Sequence, residues 1–166
     1  APVKADGKAR LDSKPISFAD LPSLGEPGRV VADMPTGVLG IDRIEFGNGV
    51  TALLWPTADE PGRLTVKARW GAGYRQFASG DAPYIALGDM ALVGSGLATL
   101  GQDEIDRVAT GRKMGFEFTI DDAAFQFAAD TRPADLADQL YLFAAKFALP
   151  RWDAAPFTRA KAAAKL

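Results

Sequence analysis

Carboxylates are the only side chains in this sequence that cluster closely enough to suggest acid–base or metal chemistry. Asp121 and Asp122 form an adjacent pair, and Asp103, Glu104 and Asp106 form a second group. Adjacent carboxylates in a turn point apart into water, where neither pKa is pushed toward that of a general acid. Aspartate is also a preferred turn residue, so 121–122 reads as a reversal between strands. The second group reads as a solvated first helical turn at the positive end of the helix dipole. A hard cation needs several oxygens converging from more than one segment, which neither group offers alone. Two glycine pairs invite a nucleotide reading, but Gly71-x-Gly73 is followed by Gln76 and Gly94-x-Gly96 by Thr99, so neither carries the third glycine of a dinucleotide fingerprint. Both read as turns. There is no P-loop lysine pattern, and none of the five serines is followed three residues later by lysine.

Histidine and cysteine are both absent. That removes the side chains that dominate zinc sites, the usual imidazole general base, any Ser-His-Asp triad, and any disulfide. What remains as a candidate surface for a substrate or partner is the aromatic group around the first glycine pair: Trp70, Tyr74 and Phe77, with Arg75 beside them and Tyr84 further on. The alternative is a satellite core cluster that closes the end of a sheet, and this is the preferred reading.

The elements that must position these residues follow from periodicity. Residues 1–35 carry Pro2, Pro15, Pro22, Pro27 and Pro35 among Gly, Lys and Asp, and read as a linker that Phe18, Leu21 and Leu24 anchor to a neighbouring surface. The domain then spans 36–166. β-prone runs at 41–46 and 50–55 flank Gly47-Asn48-Gly49 as a hairpin. Leu64, Val66, Ala68 and Trp70 alternate with Thr65, Lys67 and Arg69 as a strand with one wet face. Asp81 and Pro83 open a largely apolar helix to residue 93, and a second helix runs from about Gln102 to a stop at Gly111. Strands at 114–120 and 124–129 form another hairpin. Thr131 caps a helix at 134–148 that carries Leu136, Leu140, Phe143 and Phe147 on one face. Asp153 opens a last helix whose pattern is unfinished at Leu166, the expectation being a domain truncated at its C-terminus. Sheet blocks interleaved with helices predict an α+β fold, an antiparallel sheet with helices on one face.

Composition narrows the partners. Apolar residues make up 48% and charged residues 24%, which suits a folded globular domain. Nineteen basic against twenty-one acidic residues leave no cationic excess for nucleic acid. No run reaches the ~18 apolar residues that cross a bilayer, and no signal peptide is apparent.

Four segments, in order, resemble the second, inactive repeat of bacterial pitrilysin/insulinase-type zinc peptidases. They are Gly25-Glu26-Pro27-Gly28-Arg29-Val30-Val31, then Phe46-Gly47-Asn48-Gly49-Val50, then Ala91-Leu92-Val93-Gly94-Ser95-Gly96-Leu97 with the acidic helix and Gly111 after it, and finally Leu140-Tyr141-Leu142-Phe143 followed by Pro150-Arg151 and Phe157. In the family's catalytic repeat the helix at this place carries H-x-x-E-H, two zinc ligands and a general base. By the resemblance, the corresponding positions here are Ala86, Asp89 and Met90, so no zinc site and no catalytic residue is expected in this chain. The resemblance further implies a processing-peptidase-like fold and a role in shaping a chamber that confines unfolded peptide. It also implies zinc in a catalytic half, in the same protein or a separate subunit, and a periplasmic setting. A non-proteolytic scaffold or assembly subunit of the same fold is the alternative.

Overall fold

Alternating side chains dictate the centre of the molecule. A computed structural model describes residues 16–164. Residues 1–15 of the expected linker, and Leu166 in the expected last helix, lie outside the described residues. Strands β4 (Leu64–Trp70), β5 (Glu117–Ile120) and β6 (Phe125–Thr131) form an antiparallel sheet in the order β4-β6-β5. Its register runs unbroken from Leu64↔Thr131 to Trp70↔Phe125, and places Ala68, Phe127 and Phe118 side by side. The period of two therefore sorts Val66, Ala68, Trp70, Phe118, Phe127 and Ala129 onto one face, and Thr65, Lys67, Arg69 and Gln126 onto the other.

A second antiparallel sheet, in the order β1-β2-β3, is built from β1 (Val30–Pro35), β2 (Asp42–Phe46) and β3 (Thr51–Leu54). The β2–β3 reversal uses Gly49 at φ 87°, and the Val50 N–H donates to Asn48 Oδ1 at 3.1 Å. The expected strands thus divide between two sheets, because β4 completes its ladder with β6 and not with β3. The stretch expected as linker supplies β1, whose residues pair with β2 from Val30↔Phe46 to Pro35↔Asp42 around a bulge at Val31. Phe18 and Leu21 are buried, and so anchor this segment to the body of the domain.

Among the described residues, four α-helices complete the fold: α1 (Ala82–Gly94), α2 (Gln102–Ala109), α3 (Leu136–Ala148) and α4 (Ala154–Ala163). Phe143 of α3 and Leu92 of α1 cover the apolar face of the β4-β6-β5 sheet. The other side of α3, through Leu142 and Ala145, meets Phe18, Leu97, Leu100, Ile105 and Val108 in a second core. Thus α3 is shared by both cores. Tyr141 adds a link to the chain's N-terminal side, with its ring 5.4 Å from Phe18 and its hydroxyl donating to the Pro22 carbonyl at 3.0 Å.

Polar side chains of α3 and its approach replace part of the sheet ladder. The fully buried amide of Gln139 accepts from the Gly115 N–H and donates to the Gly115 carbonyl, both at 2.9 Å. Asp135 accepts the Lys113 N–H at 2.9 Å, and Thr131 Oγ1 donates to the Lys113 carbonyl at 2.7 Å. With those backbone groups already satisfied, β5 begins at Glu117, three residues after the expected 114. Thr131 is therefore no helix cap. It ends β6, and α3 starts only after a 3-10 turn at Pro133–Asp135. Asp81 does not cap α1 either; its carboxylate accepts the Ala78 N–H.

Lys146, 3% exposed, closes the junction of α1, α3 and α4. Its ammonium donates to the carbonyls of Leu92 at 3.1 Å and Ser95 at 2.5 Å, and lies 4.8 Å from the Phe116 ring centre. These are orphan acceptors at the end of α1, which the cation satisfies. Ser95 Oγ in turn accepts the Asp153 N–H at 3.1 Å, and Asp153 Oδ2 accepts the Gly96 N–H at 3.0 Å. Burial pulls the Lys146 pKa down from 10.5 to about 8, with Asp153 opposing the shift. Between those two values the unfolded chain binds more protons at this site than the folded one, so stability rises with pH across that window. Urea unfolding at ~pH 7.5 and ~pH 9.5 should show wild type gaining roughly 2 kcal/mol relative to Lys146→Met. A gap between the two proteins that is flat with pH would refute the assignment.

Candidate functional site

Helix α1 is apolar along its whole length except for Asp89, its only ionisable residue that carries charge at neutral pH. Ala86, Asp89 and Met90 stand at i, i+3 and i+4 and so share one side of the helix. The Ala86 methyl is exposed, Met90 is 40% exposed, and Asp89 is half-buried, so that burial holds its carboxyl above the usual range. Alanine has no ligating atom and a thioether is a poor zinc ligand, which leaves one carboxylate at this place. Among the described residues no three His, Cys, Asp or Glu side chains converge.

Helix α4 lies alongside α1. Gly94 permits the approach, since a Cβ there would come within 3.2 Å of the Pro156 Cβ. Between the helices is a hollow of about 390 Å³ walled by Asp89, Met90, Val93, Arg159, Ala160 and Ala163. A second hollow of about 540 Å³ shares Gly94, Pro156 and Arg159 with the first and adds Gln102, Arg107 and Arg151. Arg151 is held by Asp153 at 2.7 Å and by the Thr99 carbonyl at 3.2 Å. Arg107 reaches Glu104 only at 3.8 Å, and Arg159 has no carboxylate partner among the described residues. Among the described residues, no nucleophile with an adjacent base lines either hollow. The arginines were not singled out from sequence, because the approach of α4 to α1 depends on a tertiary contact at Gly94.

The aromatic group around the glycine turn is organised differently. Trp70 meets Phe127 edge-on at 4.6 Å and Phe147 at 4.4 Å between ring centres, and Phe77 meets Phe125 at 5.8 Å. Those two rings close the end of the sheet. Arg75 Nε donates to the Asp122 carbonyl at 2.6 Å, and the Tyr74 N–H donates to the Asp121 carbonyl at 2.9 Å, while the Tyr74 ring is 47% exposed. The Asp121 carboxylate accepts the Ala123 and Ala124 N–H groups at 2.7 Å and pairs with Arg69 at 2.9 Å. Those N–H groups, with Arg69 and Arg75, hold its carboxyl below the usual range. The pair at 121–122 is therefore a capped turn. None of Trp70, Tyr74, Arg75 and Phe77 lines either hollow, so the two sets of candidate residues do not share a site.

Gly73 ties this turn together at φ 58°, where a Cβ would overlap the Asp121 carbonyl oxygen. Gly73→Ala should cost at least about 3 kcal/mol, from the positive φ and the backbone clash together. Chemical denaturation checks this, and a cost below about 1 kcal/mol would contradict the packing described.

No protein-family model and no curated protein matches the chain. Solved structures do. A mutant of the ferredoxin protease FusC in complex with Arabidopsis ferredoxin aligns over 92% of this chain, with TM-score 0.71 and 18% identity. The periplasmic protease PqqL from Escherichia coli aligns over 85%, with TM-score 0.74 and 16% identity. The alignments take in only 17% and 16% of those longer chains. Both neighbours are pitrilysin/insulinase-family metallopeptidases, and the chain has the α+β fold of a segment of them.

Proposed function

We propose that this chain is a non-catalytic portion of a pitrilysin/insulinase-type zinc peptidase, shaping the chamber and helping to confine peptide while a separate histidine-bearing half cleaves it. The observation that carries this reading is helix α1. It belongs to a fold shared with proteases, and by the family resemblance its Ala86, Asp89 and Met90 are the counterparts of the H-x-x-E-H ligands and base. A sheet with helices on one face can persist without catalytic residues when the requirement on it is shape. On this reading zinc belongs to the catalytic half, in the same protein or another subunit, and the setting is periplasmic, the compartment named for one structural neighbour. The partner is that half together with unfolded peptide.

Titration calorimetry should show no stoichiometric zinc binding by the chain, whose Asp89 supplies one contact at most. The decisive experiment combines the chain, within its complete parent repeat, with a zinc-binding half and follows cleavage of a quenched unfolded peptide. Activity above that of either half alone is the expected outcome. A stable complex without gain in activity would favour the scaffold role, and absence of any association would overturn both.

A further inference from the structure

The trough between α1 and α4 carries charges of opposite sign at its two ends, and neither is paired with the other. Arg159 reaches over Gly94, with its Nη2 3.8 Å from where a Cβ at that glycine would lie. Asp89 is five residues earlier on α1, about 7.5 Å along the helix axis. Between them the wall is apolar: Met90, Val93, Ala160 and Ala163. No salt bridge joins Asp89 to Arg159, and Asp89 has no basic partner among the described residues. Next to Arg159, two of the three acids are already engaged: Asp153 holds Gly96 and Arg151, and Glu104 holds the Gly101 N–H at 2.8 Å. Asp103 is exposed. The buried Oε1 of Gln102 in the adjoining hollow has no donor within reach.

We infer that this trough binds the C-terminal residue of a peptide ending in lysine or arginine. The α-carboxylate lies against the Arg159 guanidinium, the aliphatic stem runs over Met90, Val93 and Ala160, and the cationic tip meets Asp89. A chain terminus fits better than an internal acidic residue because the two hollows share a wall at Gly94, Pro156 and Arg159. Carboxylate and stem must therefore leave one point, as they do from a single terminal Cα, whereas neighbouring side chains of an extended chain point to opposite sides. A basic side chain with its four-carbon or three-carbon stem buried and its head at a carboxylate is the usual way such residues use an apolar wall. Guanidinium and carboxylate are also a well-matched bidentate pair. Asp89 and Met90 are the positions matched by resemblance to the zinc motif, but the site asks no metal of them, so it stands whether or not the chain serves a catalytic half.

The test uses the 166-residue chain and three acetylated tripeptides: one ending in lysine with a free carboxylate, its C-terminal amide, and the free acid ending in norleucine. Binding is followed by amide chemical-shift titration up to a few millimolar. The lysine acid should bind at least about tenfold more tightly than its amide and than the norleucine acid. Arg159→Gln should abolish the difference between acid and amide, and Asp89→Asn the difference between lysine and norleucine. Both variants must retain the wild-type circular dichroism spectrum; Met90→Ala, which keeps both charges and removes part of the apolar wall, serves as a third variant and should weaken all three peptides. Binding indifferent to amidation, a preference that survives both charge variants, or no shift with any peptide would overturn the assignment.

Discussion

The buried ammonium of Lys146 is the contact through which the helices hold one arrangement. A cation at 3% exposure is tolerated only because two carbonyls, an aromatic face and the nearby Asp153 surround it. Those partners belong to different elements: Leu92 and Ser95 to the end of α1, Phe116 to the approach to β5, Asp153 to the start of α4. Removing the amine altogether leaves helix-end carbonyls without donors and frees three elements at once. The same junction sets the course of α4, because Ser95 and Gly96 bond Asp153 and thereby place the first turn of α4 beside α1. The trough between those helices follows from that placement.

A second constraint works through α3. Its Phe143 side meets the sheet while its Leu142 side meets the N-terminal core, and Gln139 grips Gly115 by both backbone groups. A side-chain amide that satisfies a donor and an acceptor of one residue imitates a neighbouring strand. It fixes where β5 can begin and commits the preceding residues to the helix. Function in such a domain depends on surfaces held in register, and this buried polar hardware supplies the rigidity that a loose apolar core does not.

Much of this was legible in the residues. The run 64–70 alternates so regularly that strand and inward face follow from period two, while its pairing with 125–131 is seen only in the structure. The glycine-asparagine reversal, the apolar helix after Pro83 and the cap at Gly111 were equally plain. β1 was harder, because Pro27 and Pro35 frame a short Val30-Val31 run that only its pairing with β2 makes a strand. Thr131 before a proline has the chemistry of a helix cap, and nothing local reveals that Lys113 claims its hydroxyl. Gln139 and Lys146 were not singled out from sequence, since polarity in a helix pattern signals solvent unless a partner is known. The aromatic group at Trp70 was read from sequence as either a surface or a satellite core; Trp70 packs on Phe127 and Phe147, while Tyr74 and Phe77 stay exposed. The α1–α4 trough was invisible in sequence for a different reason: it depends on how closely Pro156 approaches Gly94.

The division of the three tryptophans has an optical consequence. Trp55 and Trp152 are 60% and 62% exposed, whereas Trp70 is ringed by Phe118, Phe125, Phe127 and Phe147. Two of the three indoles thus emit from water in the folded and unfolded chain alike. Any blue-shifted component of the emission is expected from Trp70, the indole seated at the closed end of the β4-β6-β5 sheet. The molecule therefore contains a native fluorescent reporter of that end of the sheet, readable without any label.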